Sequence, residues 1–484
     1  MLISLLLATP LVSAGLSALV TREQKRLLEY GAVLSSLMQV AFVCTIGFQV
    51  LSGEVVNASS ALQADALGAF AILFISVVGF AAAMHSVGHL REEVQKGTIG
   101  FRRVRQYFVL YHLFFLAMYA AAVSASPLLT WITVEATTLA SVFLITFYGK
   151  ASALEAGWKF LIINSVGLLF GFLGSLLFLS AAAESGASET FITWDVLRSL
   201  ATTLDPTLIK VAFVFVLVGF GTKVGFVPMH PWLPDAHSNA PIPISGLLSG
   251  VLLNIALIGI LRFRAVADLT IDPAFSEGLL LGFGIISLVV ATLIMFVQRN
   301  YKRLLAYSSI EHMGFMAIGF GLGGGGALAA LFHMLYHALI KSVLFFAAGN
   351  FFLRYGTTKI AEIRGAISTL PVSASIFLIG LFLAAGLPPS GIFFTEMSIL
   401  SSALQASPFL ACTALIALLL AFTAFLKYGS AMLFSEPPAE IEKGEHNYWT
   451  LASIALLFFI FVVISIHIPR PLYELVEAAA AIIR

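Results

Sequence analysis

Charged residues are scarce along the whole of this 484-residue sequence. Asp, Glu, Lys and Arg make up 11% of the chain and hydrophobic residues 60%, whereas a soluble domain carries about 25% charged residues. Because the deficit is spread over the full length, no segment fits a soluble domain. The net charge of +1, without a basic arm or patch, also gives no indication of nucleic-acid binding.

Cysteine is nearly absent as well. Cys44 and Cys412 each lie inside an apolar stretch and are too isolated for a metal site, so we expect them to be packing residues. The sequence contains no recognisable haem, iron–sulfur, quinone or nucleotide motif. We therefore predict no metal, no cofactor and no catalytic residue in this chain, and we expect any redox chemistry to belong to partner proteins.

Long apolar runs dominate the sequence instead. A run of about 20 apolar residues can cross a bilayer as a helix. About fourteen such runs are present, at 1–20, 28–52, 65–90, 105–125, 127–148, 158–182, 208–230, 241–263, 277–298, 304–322, 326–352, 370–401, 408–433 and 448–468. The chain is therefore predicted to be an all-α, multi-pass membrane protein in the lipid bilayer. Surface loops are expected at 91–104, 183–207, 264–276 and 434–447.

The distribution of Lys and Arg predicts the orientation. Residues 1–20 have no basic segment before their apolar run and are followed by three basic residues, which is typical of a first transmembrane helix rather than a signal peptide. Of the 26 basic residues, 18 follow odd-numbered predicted helices, six lie on the other side, and Lys223 and Lys341 lie within helices. Basic residues favour the cytoplasmic side. Both termini are thus predicted to lie outside the plasma membrane of a prokaryote.

Six titratable side chains stand at membrane depth. An ionised group there costs a few kcal/mol or more and normally faces a protein interior or a water path. They are Glu135, Lys223, His333, His337, Lys341 and Glu396. His333, His337 and Lys341 are spaced i, i+4, i+8, so they lie on one helical face over about 12 Å. A single buried histidine is more often an interhelical hydrogen-bonding residue, but three titratable groups on one stripe favour a proton relay.

Glu135 and Lys223 are interpreted together. The first alternative is a contact that opens and closes, so that the lysine alternately holds and releases a proton. The second is a static buried ion pair, which is a weak source of stability.

Two predicted helices contain breaks. In the seventh, Pro228, Pro231 and Pro234 follow Lys223 too closely for a regular helix, and in the twelfth GLPPSG precedes Glu396. Such backbone is tolerated at membrane depth only where it is buried in protein or lines a wet cavity. Breaks five helices apart suggest two inverted five-helix repeats. The predicted division is helices 1–3 in 1–104, helices 4–8 in 105–263, helices 9–13 in 277–433, and helix 14 with its tail in 448–484.

Five motifs in a fixed order carry a specific resemblance. They are WITVEATTL, GFGTKVGFVPMHPWLPDAHSNAPIPISGLLSG, QRNYKRLLAYSSIEHMGFMAIG, HMLYHALIKSVLFFAAGN and GLPPSGIFFTEMSIL. Together they resemble the antiporter-like subunits of respiratory complex I, the group 4 membrane-bound hydrogenases and the Mrp cation/proton antiporters, over nearly the whole chain. The run WLPDAHSNAPIPISGLLSGVLLN is most similar to the F-type membrane subunit of hydrogenase-4 and formate hydrogenlyase complexes.

The resemblance implies a role for each buried group. Glu135 matches the glutamate of the fifth helix, and Lys223 matches the lysine of the broken helix that pairs with it. Lys341, with its two histidine companions, matches the lysine of the eleventh helix, and Glu396 the terminal lysine or glutamate of the twelfth. Asn254 stands where many relatives carry lysine or histidine. Because Asn cannot titrate, we expect the relay to pass that point through water or another side chain.

Other polar residues are weaker candidates. Lys159 is either an extension of the relay or an interfacial side chain. Glu311 and His312, two turns into the tenth helix, are an uptake route or a structural pair. The groups beside the first break either cap broken backbone or conduct: His230, Asp235 and His237. Three further histidines lie near predicted helix ends and are expected to be interfacial: His85, His89 and His112.

Three functions fit these observations. The first is a proton- or Na⁺-translocating, non-catalytic subunit of a redox-driven membrane complex. Its expected partners are other membrane subunits, including neighbouring antiporter-like subunits, and peripheral hydrogenase or dehydrogenase subunits with iron–sulfur proteins. The second is an Mrp-type secondary Na⁺/H⁺ antiporter subunit, and the third is a scaffold whose buried charges fix subunit packing. The hydrogenase-like segment around Asn254 favours the first, as does the expected absence of a lateral C-terminal helix.

Overall fold

The computed structural model describes residues 1–187 and 191–483, and that part of the chain is almost entirely helical. The predicted 183–207 loop and the 448–484 segment include residues 188–190 and Arg484, which lie outside the described residues. The described elements are α1 (Leu2–Leu19), α2 (Lys25–Leu51), β1 (Val56–Ser59), β2 (Leu62–Ala64), α3 (Ala66–Gln95), α4 (Phe101–Ala122), α5 (Pro127–Ile145), α6 (Ala151–Glu184), α7 (Trp194–Leu200), α8 (Pro206–Val224), α9 (Trp232–Asn239), α10 (Ile242–Leu247), α11 (Leu253–Thr270), α12 (Pro273–Met295), α13 (Tyr301–Leu322), α14 (Gly324–Tyr355), α15 (Ala366–Thr369), α16 (Pro371–Ala384), α17 (Gly391–Ala406), α18 (Pro408–Leu433), α19 (Tyr448–Ile466) and α20 (Arg470–Ile482). A π-helical turn, Leu248–Leu252, joins α10 to α11.

The prediction of an all-α membrane protein is confirmed. Within the described residues, eleven helices are long and apolar enough to cross a membrane, and α16 is a shorter apolar helix. Of the remaining predicted spans, α4 and α13 carry basic residues in their first turn, and the span 370–401 is divided between α16 and α17. The amphipathic α20 is not among the predicted helices because it is too short and too polar for a span.

The loops form two faces. On one face, Asn300 pairs with Lys359 in a β-bridge, and Arg354 donates to the carbonyl oxygens of Glu442 and Gly444 at 2.8 and 2.7 Å. On the other face, the Trp194 amide donates to Ala125 O at 2.9 Å. We call the first the basic face because it carries the predicted excess of Lys and Arg; it comprises the loops that follow α3, α5, α12, α14 and α18. The other is the opposite face.

The centre of the molecule consists of α3, α10, α11 and α14, whose residues are buried on nearly all sides. Lipid is as apolar as these helices, so close packing holds them together rather than hydrophobic burial alone. A Cβ atom on Gly250 would lie 2.6 Å from Ala338 O, so glycine is required where the π-helical turn meets α14. This close approach fixes α14 against the middle of the chain.

Both predicted breaks are present. The helix that carries Lys223 ends at Val224, where Gly225 adopts a left-handed conformation (φ +88°), and helical structure resumes at Trp232. In the second break, α16 ends at Ala384, Gly386 has φ +73°, and α17 begins at Gly391. Positive φ favours glycine because the absence of a Cβ atom removes the steric penalty. The breaks therefore follow from glycine as well as from proline.

An ion pair on the opposite face ties α3 to α11. The Arg262 guanidinium donates two hydrogen bonds of 2.8 Å to the Asp65 carboxylate, and the Asp65 side chain also caps α3 by accepting from the Gly68 amide at 2.7 Å. Burial alone would raise the pKa of Asp65, but Arg262 holds that pKa below its usual value. The stabilisation is therefore present at neutral pH and is lost as the pH falls through the folded-state pKa of Asp65.

We predict that Asp65→Asn lowers the melting temperature of the detergent-solubilised protein markedly. Removing one partner leaves the buried Arg262 charge uncompensated, which costs about 3 kcal/mol. The matched control is Glu362→Gln, which breaks an exposed pair with Lys359 on the basic face and should leave the melting temperature unchanged. Equal melting temperatures for Asp65→Asn and the unmodified protein would show that the pair does not stabilise the fold.

Candidate functional site

Glu135, Thr138 and Lys223 form the first buried polar group. Glu135 Oε1 accepts a hydrogen bond of 2.7 Å from Ser165, and its Oε2 accepts one of 3.3 Å from Thr138, one turn later on α5. Lys223 Nζ donates to Thr138 Oγ1 at 2.8 Å. The threonine hydroxyl thus stands between the two charges. The expected direct pairing of Glu135 with Lys223 is replaced by a pairing through Thr138.

The surroundings of Lys223 stabilise a cation without a direct carboxylate partner. Its side chain is fully buried, and Nζ lies 4.7 Å from the centre of the Phe160 ring, a distance suited to a cation–π interaction. Lys223 is also in the last turn of α8, where the helix dipole is negative. That helix end lies inside the molecule only because the chain breaks at Gly225.

Glu135 differs from Lys223 in its exposure. The glutamate is half-buried, and its neighbours Ile132 and Leu139 on α5 are exposed. A carboxylate at this depth requires cover from more than lipid. Glu135 therefore lies near the outer surface of this chain, whereas Lys223 lies inside it.

The second buried group joins α13, α14 and α17. Lys341 donates a hydrogen bond to the Ser308 hydroxyl, one turn before Glu311 on α13. His312 Nδ1 lies 2.9 Å from His333 Nε2, and His333 Nδ1 lies 2.9 Å from Thr395 Oγ1. A continuous hydrogen-bonded line therefore runs from α13 through α14 to α17.

The remaining predicted members adjoin this line. The His337 ring centre is 5.2 Å from that of His312, and neither of its nitrogens has a hydrogen-bond partner in the described part of the chain. Glu311 Oε2 lies 3.7 Å from His312 Nε2, so the two weaker candidates of α13 belong to the centre of the group. Both are buried.

Glu396 lies against the second break. It is buried, and a Cβ atom on Gly386 would collide with its carboxylate. Its Oε1 atom has no hydrogen-bond partner among the described residues. The side chain therefore faces the broken backbone and not the lipid.

Asn254 connects α11 to α14. Its Nδ2 atom donates to Gly250 O at 2.9 Å and to Met334 O at 3.2 Å, next to His333, while its Oδ1 has no partner in the described structure. Asn254 thus fastens two helices through backbone carbonyls and keeps one acceptor free. Asn254 Oδ1 therefore accepts no hydrogen bond from a titratable side chain of the described residues.

The candidates around the first break have different settings. Lys159 pairs with Asp235 at 3.0 Å and with Glu155 at 2.6 Å, and Arg303 also contacts Asp235. This network is partly exposed, which favours a structural role for Lys159. His230 is half-buried at the break, and its ring centre lies 6.1 Å from that of Tyr307.

His237 occupies the space between the two lysine groups. It is fully buried on α9, and its ring centre lies 6.4 Å from Trp232 and 5.8 Å from Phe345. Trp232 packs against Phe160, whose ring contacts Lys223 Nζ. Phe345 lies one turn after Lys341 on α14. His237 Nδ1 is 2.7 Å from Leu233 O, and its Nε2 has no partner among the described residues.

The expectation that three histidines are interfacial is wrong. His85, His89 and His112 are buried, because α3 continues to Gln95 and α4 packs against it. Sequence reasoning also missed Thr138, Ser308 and Thr395, since hydroxyl residues in apolar helices usually bond to their own backbone. The signal for the histidines was available: His85, His89 and Glu93 have the same i, i+4, i+8 spacing as residues 333, 337 and 341.

Comparison with known proteins identifies the family. The NADH:quinone oxidoreductase/Mrp antiporter transmembrane family matches residues 124–423. The hydrogenase-4 component F homolog of Methylacidiphilum infernorum is 36% identical over 422 residues, which cover 87% of this chain and 88% of that protein. A chain of the membrane-bound sulfane sulfur reductase, an archaeal respiratory membrane complex, shares 24% identity with a TM-score of 0.87 and covers 99% of this chain and 97% of that one. A chain of respiratory complex I from Thermus thermophilus shares 22% identity with a TM-score of 0.82 and covers 100% of both.

The fold and the buried polar groups define an antiporter-like membrane subunit. The chain belongs to the NADH:quinone oxidoreductase/Mrp antiporter family. The resemblance inferred from the five motifs is confirmed, including the similarity to hydrogenase-4 component F.

We predict that Gly386→Ala destabilises the protein more than Gly356→Ala. Both glycines have positive φ, +73° and +69°, so alanine carries a backbone cost of about 1–2 kcal/mol at either position. Open space surrounds Gly356, whereas the new Cβ at Gly386 would collide with Glu396. Thermal unfolding in detergent measures the difference. Equal losses for the two variants would show that Glu396 is not held against the break.

Proposed function

We propose that this protein translocates protons as a non-catalytic subunit of a redox-driven membrane complex. The observation that carries the proposal is that two fully buried lysines, Lys223 and Lys341, each hydrogen-bond to a hydroxyl one turn from a carboxylate. Thr138 accepts from the Lys223 amine and donates to the Glu135 carboxylate, so it connects the two groups without neutralising them, whereas the Ser308 hydroxyl donates to Leu305 O. A scaffold role would favour direct pairing of the charges, since a buried charge without its partner is destabilising.

The route we propose runs from Glu135 through Thr138 to Lys223. It then passes His237 to Lys341 and continues along His312 and His333 to Thr395 and Glu396. Imidazole and ammonium groups hold and release protons, whereas hard cations such as Na⁺ need several oxygen ligands. The relay therefore suits protons better than Na⁺.

We propose that the route ends in a cleft towards the opposite face. A cleft of about 670 Å³ is lined by Thr395, Tyr336 and serine hydroxyls of α17 and α19, namely Ser398, Ser401, Ser402 and Ser465. Thr395 also contacts His333. A proton released from His333 would reach this cleft through one hydroxyl.

The energy for translocation must come from outside this chain. Moving one charge against 100 mV takes about 2.3 kcal/mol, and the proposed route contains no group that supplies it. We propose that a charge shift in a neighbouring antiporter-like subunit, beside the half-buried Glu135, weakens the hold of Glu135 on Thr138 and Lys223. The proton then moves towards Lys341.

The proposed complex is of the membrane-bound hydrogenase type. Support comes from the 36% identity to a protein named hydrogenase-4 component F homolog. Peripheral redox subunits with iron–sulfur proteins would then supply the electrons, in the plasma membrane of a prokaryote with both termini outside. We also propose the division into two inverted repeats, at 105–263 and 277–433. Purification of the native complex tests the assembly: hydrogenase and ferredoxin-like subunits support it, and small Mrp-type membrane subunits would favour the secondary-antiporter alternative.

We predict that Glu135→Gln and Lys223→Ala abolish proton pumping in proteoliposomes while the subunit stays in the assembled complex. Either change removes a group that must exchange a proton or a charge at the start of the route. Lumen acidification driven by redox turnover is the measurement. Normal acidification by either variant would contradict the proposed function.

Thr138→Val tests the hydroxyl bridge itself. The change removes the contact between Glu135 and Lys223 with little change in volume, and we expect pumping to slow strongly. Thr137→Val is the matched control, because Thr137 is buried on the same helix and donates only to Val134 O of its own backbone, at 2.6 Å. If both variants pump alike, Thr138 does not connect the two charges.

Asn254→Leu tests the middle of the route. Leucine can neither donate to Met334 O nor offer an acceptor beside His333. We therefore expect proton pumping to slow far more than the melting temperature falls. Pumping at the normal rate would remove Asn254 from the proposed route.

A further inference from the structure

A second line of titratable residues runs through α3, away from the route described above. Glu93, His89 and His85 lie one turn apart on the same helical face, over about 12 Å. Glu93 is 2% exposed and both histidines are 0% exposed. His89 Nε2 lies 3.6 Å from Glu93 Oε2, and the rings of His85 and His89 stack with centres 6.2 Å apart. We call this set the α3 ladder.

The α3 ladder is incompletely hydrogen-bonded. Glu93 Oε1 accepts from the Tyr148 hydroxyl at 2.8 Å, and His85 Nδ1 lies 3.0 Å from Ser453 Oγ on α19. Glu93 Oε2, His89 Nδ1 and His85 Nε2 have no hydrogen-bond partner among the described residues. Buried polar atoms in a purely structural cluster are normally satisfied. The free atom on each of the three successive groups can bind a proton or a water molecule.

The outer end of the ladder opens onto the basic face. A cavity of about 380 Å³ there is lined by Glu93, Tyr148, Lys302 and the exposed Ser152, among others. Two further lysines, Lys96 and Lys150, line the same cavity. Glu93 is the acidic member of this lining, so it is the group that can take a proton from water in the cavity.

The inner end of the ladder meets α14. The His85 ring stacks on Phe346 with centres 4.6 Å apart, and a Cβ atom on Gly349 would lie 3.3 Å from the free His85 Nε2. Lys341 lies two turns earlier on the same helix, towards the membrane centre. The free nitrogen of His85 therefore faces the helix that carries the second lysine group.

We propose that the α3 ladder is a proton-uptake branch that carries protons from the basic-face cavity to α14, where they supply Lys341. This inference rests on the proposed function. Glu93 binds the proton, and each imidazole accepts a proton on one nitrogen and releases one from the other. The ladder selects protons over Na⁺, because its inner members are ring nitrogens, which bind protons and are poor ligands for a hard cation. The groups that face the ladder from outside it include Tyr148, Lys96, Lys150 and Lys302 at its outer end and Ser453 at its inner end.

The test compares His89 variants with a matched histidine variant in the purified complex reconstituted in proteoliposomes. His89→Leu and His89→Gln remove the central proton carrier; glutamine keeps hydrogen-bonding capacity but cannot titrate. We expect both variants to lower the number of protons delivered to the lumen per electron transferred about tenfold or more, since a positioned proton-transfer group contributes about 10²-fold or more to rate. Electron transfer with an uncoupler present should be unchanged. The control is His112→Leu, a buried histidine on α4 whose two ring nitrogens have no partner in the described part of the chain.

The outcomes separate the ladder from the proposed function. If Lys223→Ala abolishes acidification and both His89 variants pump as well as His112→Leu, the ladder is overturned and the proposed function stands. If Lys223→Ala pumps normally, the proposed function itself is contradicted, whatever the His89 variants show. If rescue by glutamine is complete while leucine is inactive, His89 acts by hydrogen bonding and the ladder is also overturned.

A second variant tests proton uptake through the cavity without changing a residue of the ladder. Ser152→Cys places a thiol in the lining of the cavity, where a bulky thiol reagent can fill the space after the complex has assembled. We expect labelling to slow acidification. The control is the complex without the substitution, treated with the same reagent, because Cys44 and Cys412 are exposed and can also react. Complete labelling without loss of acidification would contradict uptake through this cavity.

Discussion

The desolvation of charged side chains inside the membrane is the constraint on which the rest of the structure depends. Taking an ion out of water costs several kcal/mol even after the protein relaxes. Lys223 and Lys341 meet this cost with a hydroxyl group and an aromatic face each, Thr138 with Phe160 and Ser308 with Phe425. The helix breaks serve the same purpose, because they bring a helix end to Lys223 and place Glu396 beside open backbone.

This manner of stabilisation also leaves the charges free to change. A direct ion pair in a low-dielectric interior is hard to open, whereas a hydroxyl bridge transmits a shift of charge from one side to the other. In the first group Thr138, one turn after Glu135, bridges the carboxylate and the lysine. In the second group Ser308 accepts from Lys341 but donates to Leu305 O, and Glu311 Oε2 lies 3.7 Å from His312 Nε2. Both lysines are therefore held by a hydroxyl group, and His237 lies between the two groups with one ring nitrogen that has no partner among the described residues.

The sequence alone was sufficient for the fold class and the two breaks, and it placed six titratable residues within the helices, whose roles stay predictions. Long apolar runs and isolated charges are strong signals, because lipid allows few alternatives to a buried helix. The contacts of the lysines with Thr138 and Ser308 could not be predicted, since both hydroxyls lie on helices rich in Ser and Thr. Only the arrangement of the folded helices shows which hydroxyl faces a lysine. The α3 histidines were misjudged because the apolar run ends at residue 90 while α3 continues to Gln95, which moves His85 and His89 away from the helix end.

The central claim is that the protonation or hydrogen bonding of Glu135 changes as the complex turns over. Infrared difference spectroscopy of the reconstituted complex, with and without redox turnover, measures this directly. The account predicts carboxyl bands that change with turnover in the unmodified complex and are missing in Glu135→Gln. If electron transfer and proton pumping proceed while no band assignable to Glu135 changes, the account is contradicted.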